Sequence, residues 1–385
     1  MNPTRLLVLA YKPDFFLEEF YKLLQSDARW RTRVVFVTSS SPARPYEVVA
    51  SGFEYQTLPA GLLQGLRFLS SEIRPGRAEV VLVFGHSPSI LWLAGWMAIL
   101  RGIPVLYFAD TNSLAERRRP WWRRRLKRLF LRPYYRRLRG LLAASTLTAD
   151  FFRETTDNGA GVVSFPYVID NDRQSRETDF FRARRSETLR ELGLPTDRPV
   201  LLFVGRLVRQ KGLHVLLTAC ARLKDKFEFS LVVVGDGPER APLAALSRRL
   251  RLDDRVRYAG WVATNGTARC FGAADVFVLP SLEEPWAIVV NEAMASGLPV
   301  IATRCTGAGR DLVEHGVNGF TVEEGDAEQL AEHLERLLSD AGLRAAMGRH
   351  SRERIQAWNY QSALGRLARA VSDCLPSGGA AESAG

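Results

Sequence analysis

Apolar residues along this chain come in short unbroken runs separated by longer amphipathic stretches. In the first half, Arg5–Ala10, Val34–Thr38, Val80–Phe84, Pro104–Phe108 and Leu141–Ser145 read as strands, and Asp14–Leu24 and Ser89–Leu100 as helices. Runs of Val, Ile and Leu without alternation mark strands covered on both faces, hence a parallel sheet. A polar stretch from about Asp170 to Pro199 follows, and the domain boundary is placed there. The alternation then restarts. Val200–Val204, Leu231–Val234, Val256–Tyr258, Val276–Leu279 and Pro299–Ala302 read as strands. Leu213–Leu223, Pro238–Leu250, Trp286–Ala295 and Ala327–Leu338 read as helices. The expected fold class is α/β, with two Rossmann-like doubly wound domains spanning 1–180 and 196–355. Ligands are expected at the carboxyl ends of the strands, in the cleft between the two.

Composition agrees with this picture. A length of 385 residues suits two domains, and 46% apolar residues supply their cores. Cys220, Cys270, Cys305 and Cys374 follow no metal-ligand or disulfide spacing, which fits a reducing compartment and an apolar filling role. No secretory signal opens the sequence, and the longest apolar run, Ser87–Leu100, is shorter than the roughly 20 residues that span a bilayer. The expectation is a cytoplasmic protein in contact with the inner face of the membrane. The tail from Ser377 is small and polar and reads as disordered.

Charge adds one local feature. The net charge of +11 comes from Arg117–Arg139, which holds eleven Arg and one Lys and no acid. Trp122, Leu126, Leu129 and Phe130 share one helical face of this segment. Cations beside tryptophans suit an anionic membrane surface. Nucleic acid would also attract the charge, but is not the expected partner given the motifs described next.

Three segments of the second half carry candidate chemistry. In Leu279-Pro280-Ser281-Leu282-Glu283-Glu284-Pro285-Trp286-Ala287-Ile288-Val289-Val290-Asn291-Glu292, a strand ends in a loop and a helix follows, with Pro285 in its first turn. The free N–H groups of Trp286–Ile288 suit an anion. Glu284 and Glu292, eight apart on a helix, would meet two parts of one ligand. In Val204-Gly205-Arg206-Leu207-Val208-Arg209-Gln210-Lys211-Gly212, a strand runs into Gly205 and then two cations spaced by five. Arg206 suits a forked grip on phosphate, and Lys211 a point charge. In Leu231–Glu239, a strand ends in the turn Gly235-Asp236-Gly237.

These segments resemble the group 1 (family 4) retaining glycosyltransferases of the GT-B fold. The family pattern is Glu, seven residues, Glu, then Ala-Met-Ala-x-Gly-x-Pro-Val, which Glu284, Glu292 and Ala293–Val300 match. Gly-Arg-Leu-x-x-x-Lys-Gly matches Gly205–Gly212. The resemblance implies transfer of a sugar from a nucleotide-diphosphate donor to an acceptor hydroxyl with retention, in the synthesis of surface polysaccharide, lipopolysaccharide or glycolipid. It implies Glu284 at the donor-sugar hydroxyls and Glu292 at the ribose. Gly205, Arg206, Lys211, Gly235, Val262, Trp286, Ala287, Ile288 and Val289 are the remaining expected donor contacts. Ala287 stands where the family usually has Gly, and its methyl is expected to narrow the approach to the sugar or phosphate. The last helix, about 356–376, commonly packs back on the first domain in this fold.

On the acceptor side, His86 and Asp110 each end a strand and are the expected partners of Glu284 in catalysis. The loop Ala10–Phe15 lacks the glycine pair that many relatives carry, so acceptor contacts are its expected use. Asp170-Asn171-Asp172 resembles an interdomain motif of the family rather than a metal site. No metal and no cofactor are expected, the nucleotide-sugar being a co-substrate. Asp275 reads as structural. The rival readings are a nucleotide-sugar epimerase or phosphorylase of the same fold, or a basic nucleic-acid-binding protein.

Overall fold

The computed structural model describes residues 2–13, 15–38, 52–85, 88–111, 113–117, 119–156, 161–263 and 266–375. The chain divides into two compact units. One holds residues 1–144, 148–166 and everything from Tyr360, and the other holds 145–147 and 167–359.

The first unit is built on a parallel sheet of seven strands. They are β1 (Thr4–Ala10), β2 (Trp30–Phe36), β3 (Gln56–Thr57), β4 (Val80–Phe84), β5 (Val105–Ala109), β6 (Gly140–Ala143) and β7 (Val162–Ser164), in the order β3-β2-β1-β4-β5-β6-β7. The inner strands are buried along their length, as unbroken apolar runs require. The edge strands β3 and β7 are too short and too exposed to leave a periodic signal in the sequence. The helix Tyr360–Ser372 belongs to this unit and packs against β7 and the helix Phe15–Ser26. Arg366 donates to the Ser164 hydroxyl at 3.0 Å there.

The second unit carries six parallel strands: β8 (Val200–Val204), β9 (Ser230–Val234), β10 (Val256–Gly260), β11 (Val276–Leu279), β12 (Val300–Thr303) and β13 (Gly319–Val322). Their order is β10-β9-β8-β11-β12-β13. Asp275 fixes the entry to β11, because its carboxylate accepts from Arg185 and from the Val200 backbone, each at 2.7 Å. All four cysteines are free and buried in the two units.

The polar stretch at 170–199 contains two helices, Asn171–Arg182 and Arg185–Glu191, and 167–180 fall in the second unit rather than the first. The first of these helices has little apolar periodicity, so the sequence conceals it. Caps and polar ties hold it instead. Asp170 accepts from the Arg173 backbone at 2.8 Å, and Asn171 donates to the Ile355 carbonyl at 2.9 Å. The Thr178 and Ser296 hydroxyls bond at 2.9 Å.

Candidate functional site

In the second sheet, β9 and β10 extend from one side of β8, and β11, β12 and β13 from the other. The winding direction changes between β8 and β11, so the loops leaving these two strands diverge and open a crevice at their carboxyl ends. Those loops are Gly205–Gly212 and Pro280–Ala287, two of the three segments singled out from the sequence. The third, at Gly235, leaves the neighbouring β9.

Main-chain hydrogen bonds lock the loops together. Gly205 N–H donates to the Val234 carbonyl at 3.0 Å and Leu207 N–H to the Asp236 carbonyl at 2.9 Å. Gly235 N–H donates to the Gly260 carbonyl at 2.7 Å, and Leu282 N–H to the Gln210 carbonyl at 2.7 Å. Two glycines make this closeness possible. A Cβ on Gly235 would lie 2.0 Å from the Gly205 carbonyl oxygen, and one on Gly212 would lie 1.9 Å from that of Pro280. Both residues also have positive φ.

On this frame the Lys211 ammonium donates to Glu284 Oε2, and both side chains are partly buried. A cation and a carboxylate, one from each diverging loop, thus meet over the switch point. The sequence reading gave them separate ligands, a phosphate and a sugar; the structure makes them a pair as well. Arg206 is exposed, and no carboxylate among the described residues pairs with it. Glu292 lies on the helix Ile288–Ala295. Burial alone raises its carboxyl to about 7, although the residue keeps some accessible surface. No donor among the described residues hydrogen-bonds that carboxyl.

The helix itself begins later than expected. It starts at Ile288, not Trp286, so Pro285 and Glu284 lie in the preceding loop and the helical spacing of Glu284 to Glu292 does not exist. The cause is Ala287, which has φ +83° and so interrupts the helical path. A backbone preference, not only a steric approach to ligand, therefore separates Ala from Gly here. Val cannot take this conformation without strain. Ala287→Val is expected to destabilise the protein by about 2–3 kcal/mol in denaturant melts, while Ala287→Gly folds normally.

Trp286 lies in the loop before the helix. Its indole is buried, donates to Asn291 Oδ1 at 3.0 Å, and packs near Trp358. The side chain is thus unavailable to a ligand, and any donor contact at Trp286 falls to its backbone. Ile288 and Val289 supply the first N–H groups of the helix, which have no intrahelical acceptor. Val262 follows β10 and stays partly accessible.

Several supporting residues escaped the sequence reading. The Thr303 hydroxyl donates to the Ser281 carbonyl at 2.6 Å, and the Cys305 thiol to the same oxygen at 3.0 Å. Gly307 N–H donates to the Glu284 carbonyl at 3.2 Å, and a Cβ on Gly307 would lie 2.1 Å from the Pro285 carbonyl oxygen. The two glycines of Thr306-Gly307-Ala308-Gly309 were the available signal.

The acceptor-side candidates belong to the first unit. Asp110 is exposed immediately after β5, at the carboxyl edge of that sheet. His86 lies outside the described residues.

Comparison with known proteins finds a family match over part of the chain, and a fold. Residues 184–354 match the family described as "Glycosyl transferases group 1". The lipopolysaccharide core biosynthesis glycosyltransferase LpsE of Rhizobium meliloti is 38% identical over 165 residues, covering 43% of this chain and 47% of that protein. D-inositol 3-phosphate glycosyltransferase of Corynebacterium jeikeium is 34% identical over 197 residues, covering 49% and 47%. The match therefore spans about half the length of these curated relatives. Among solved structures, Anabaena Alr3699/HepE in complex with UDP superposes with a TM-score of 0.77 at 19% identity, covering 96% of this chain and 100% of that one. The lipopolysaccharide-biosynthesis glycosyltransferase WaaG superposes with a TM-score of 0.67 at 20% identity, covering 97% and 100%. At these identities the likeness is one of fold, and the fold is GT-B.

Proposed function

We propose, from the match of residues 184–354 to the group 1 glycosyl transferases, a transferase that moves a sugar from a nucleotide diphosphate to an acceptor hydroxyl with retention of configuration. The observation that carries this reading is the Lys211–Glu284 pair over the switch point, with exposed Arg206 on the same loop. Arg206, Lys211 and the N–H groups of Ile288 and Val289 receive the diphosphate. Glu284 holds sugar hydroxyls, and Glu292 accepts hydrogen bonds from the ribose.

The acceptor oxygen forms a bond to the anomeric carbon as the bond from that carbon to the diphosphate oxygen breaks. The electron pair of the broken bond goes to the diphosphate, and the acceptor proton follows it on the same face of the sugar, which preserves configuration. Fixed cations at the leaving group stabilise charge that develops only in the transition state. Asp110 and His86 position the acceptor, and no step requires a metal. The product belongs to lipopolysaccharide, polysaccharide or glycolipid synthesis, in line with the relatives named above. The acceptor is a saccharide or is lipid-linked, and the cationic Arg117–Arg139 segment rests on the inner face of the membrane.

A thermal-shift panel of UDP-, GDP- and dTDP-sugars tests the donor, because a ligand bound only by the folded state raises the melting temperature. One nucleotide series is expected to do so, and its sugar to be transferred unchanged in configuration. Donor epimerisation without an acceptor, or sugar release to free phosphate, would instead assign an epimerase or a phosphorylase.

Glu292 gives this reading a pH signature. Its free-state value of about 7 means that the carboxyl is partly protonated near neutrality. Ribose hydroxyls donate to the charged form, so binding expels that proton. Affinity for the chosen nucleotide is expected to fall by about tenfold from pH 8 to pH 6, more steeply than in Glu292→Gln. The phosphate's own titration is common to both proteins and cancels. Parallel pH profiles in calorimetry would place the ribose elsewhere.

A further inference from the structure

The helices of a doubly wound domain normally turn polar faces to water. Two adjoining helices of the first unit also present apolar side chains there. Ser89–Leu100 contains no charged residue; Trp92, Trp96 and Met97 are partly buried against the core, Leu93 is partly accessible and Leu100 is 81% exposed. Trp121–Tyr135 has apolar residues on two opposite faces. Leu131, Tyr134 and Tyr135 are buried against the sheet, whereas Trp122, Leu126, Leu129 and Phe130 point outward and are each more than half exposed. The two outward faces adjoin, since Trp92 stacks on Phe130 with ring centroids 5.0 Å apart.

Arginines surround this surface. Lys127 and Arg117 are neutralised by Glu116 and Glu154. Arg123, Arg124, Arg125 and Arg128 meet no carboxylate among the described residues. A contiguous apolar patch of this kind marks an interaction surface. The arrangement distinguishes between occupants. A nucleic-acid backbone would set its phosphates against four apolar side chains. A second copy in a twofold pair would set the four arginines against themselves. An anionic bilayer satisfies both parts, with headgroup phosphates at the arginines and acyl chains beneath the apolar side chains.

We propose that Ser89–Leu100 and Trp121–Tyr135 form one plate that inserts its apolar face into an anionic bilayer, so that attachment outlasts the screening of its charges. The inference rests on the membrane contact proposed above, but names a different force. Contact by charge alone is lost when salt shortens the screening length, whereas apolar insertion is not.

The test is sedimentation of the full chain with phosphatidylcholine vesicles containing about 30% phosphatidylglycerol, in low salt and in about 0.5 M NaCl. The comparison protein is Leu100→Gln/Leu126→Gln/Leu129→Gln, which preserves every charge and alters only exposed positions. Wild type is expected to stay bound in high salt, and the triple variant to lose at least about tenfold in partitioning there. Release of wild type by salt, or equal partitioning of the variant, overturns insertion while leaving contact by charge standing. No binding in low salt removes both. A duplex oligonucleotide that binds as tightly as the vesicles, or a dimer that the triple variant dissolves, would overturn the proposal by assigning the plate to that partner.

Discussion

Glu284→Ala and Lys211→Ala should each lower sugar transfer by about two to three orders of magnitude, and the double variant by little more than either. The two residues come from different loops and meet in one ion pair. Removing Glu284 releases the Lys211 ammonium from its position and also deletes a hydroxyl acceptor. Removing Lys211 leaves the Glu284 carboxylate partly buried without its cation, at the point where the proposed function puts the diphosphate charge. Either change therefore disables the same device. A double-mutant cycle on kcat/KM reads this directly, with an interaction term nearly as large as the single effects. Strict additivity would mean that the pair contributes no coupled function. Arg206→Ala, on the exposed part of the same loop, is expected to weaken nucleotide binding without disturbing the pair.

Gly212→Ala should cost about 3 kcal/mol or more in stability and abolish transfer in whatever protein still folds. Its backbone has φ +68°, and an added Cβ would lie 1.9 Å from the Pro280 carbonyl oxygen. A flexible side chain could move aside from such a contact, but a carbonyl fixed in the loop after β11 cannot. The β8 and β11 loops would have to separate, taking Lys211 away from Glu284. Chemical denaturation gives the stability change, and nucleotide titration reports the loss of the site. A variant with wild-type stability would show that the loops are not mutually fixed at this point.

Much of this was legible beforehand because the signals are local. The strands β4, β8 and β11 and the helices Ser89–Leu100 and Leu213–Leu223 coincide with their apolar runs. The segments around Gly205–Gly212 and Glu284 stood out by spacing together with the family pattern, and the structure brings those two loops into contact. The failures were of another kind. The Lys211–Glu284 contact joins residues 73 apart in sequence and follows from strand order, which no local pattern records. Ala287 was read as a steric feature of the ligand site, yet its positive φ sets where the helix begins. The Asn171–Arg182 helix was hidden because capping and polar ties stabilise it, and neither leaves an apolar stripe.

The loops at the second sheet's carboxyl edge hold one another through peptide groups, from Gly205 to Val234, Leu207 to Asp236, Gly235 to Gly260 and Leu282 to Gln210. Every residue carries a backbone carbonyl and all but proline an N–H, so this framework is largely indifferent to side-chain identity outside its glycines. Positions 208, 236, 261 and 262 therefore form a natural set for a combinatorial library aimed at other nucleotide-sugars. Most members of such a library would keep the wild-type melting temperature, and substrate range could be diversified without redesigning the scaffold.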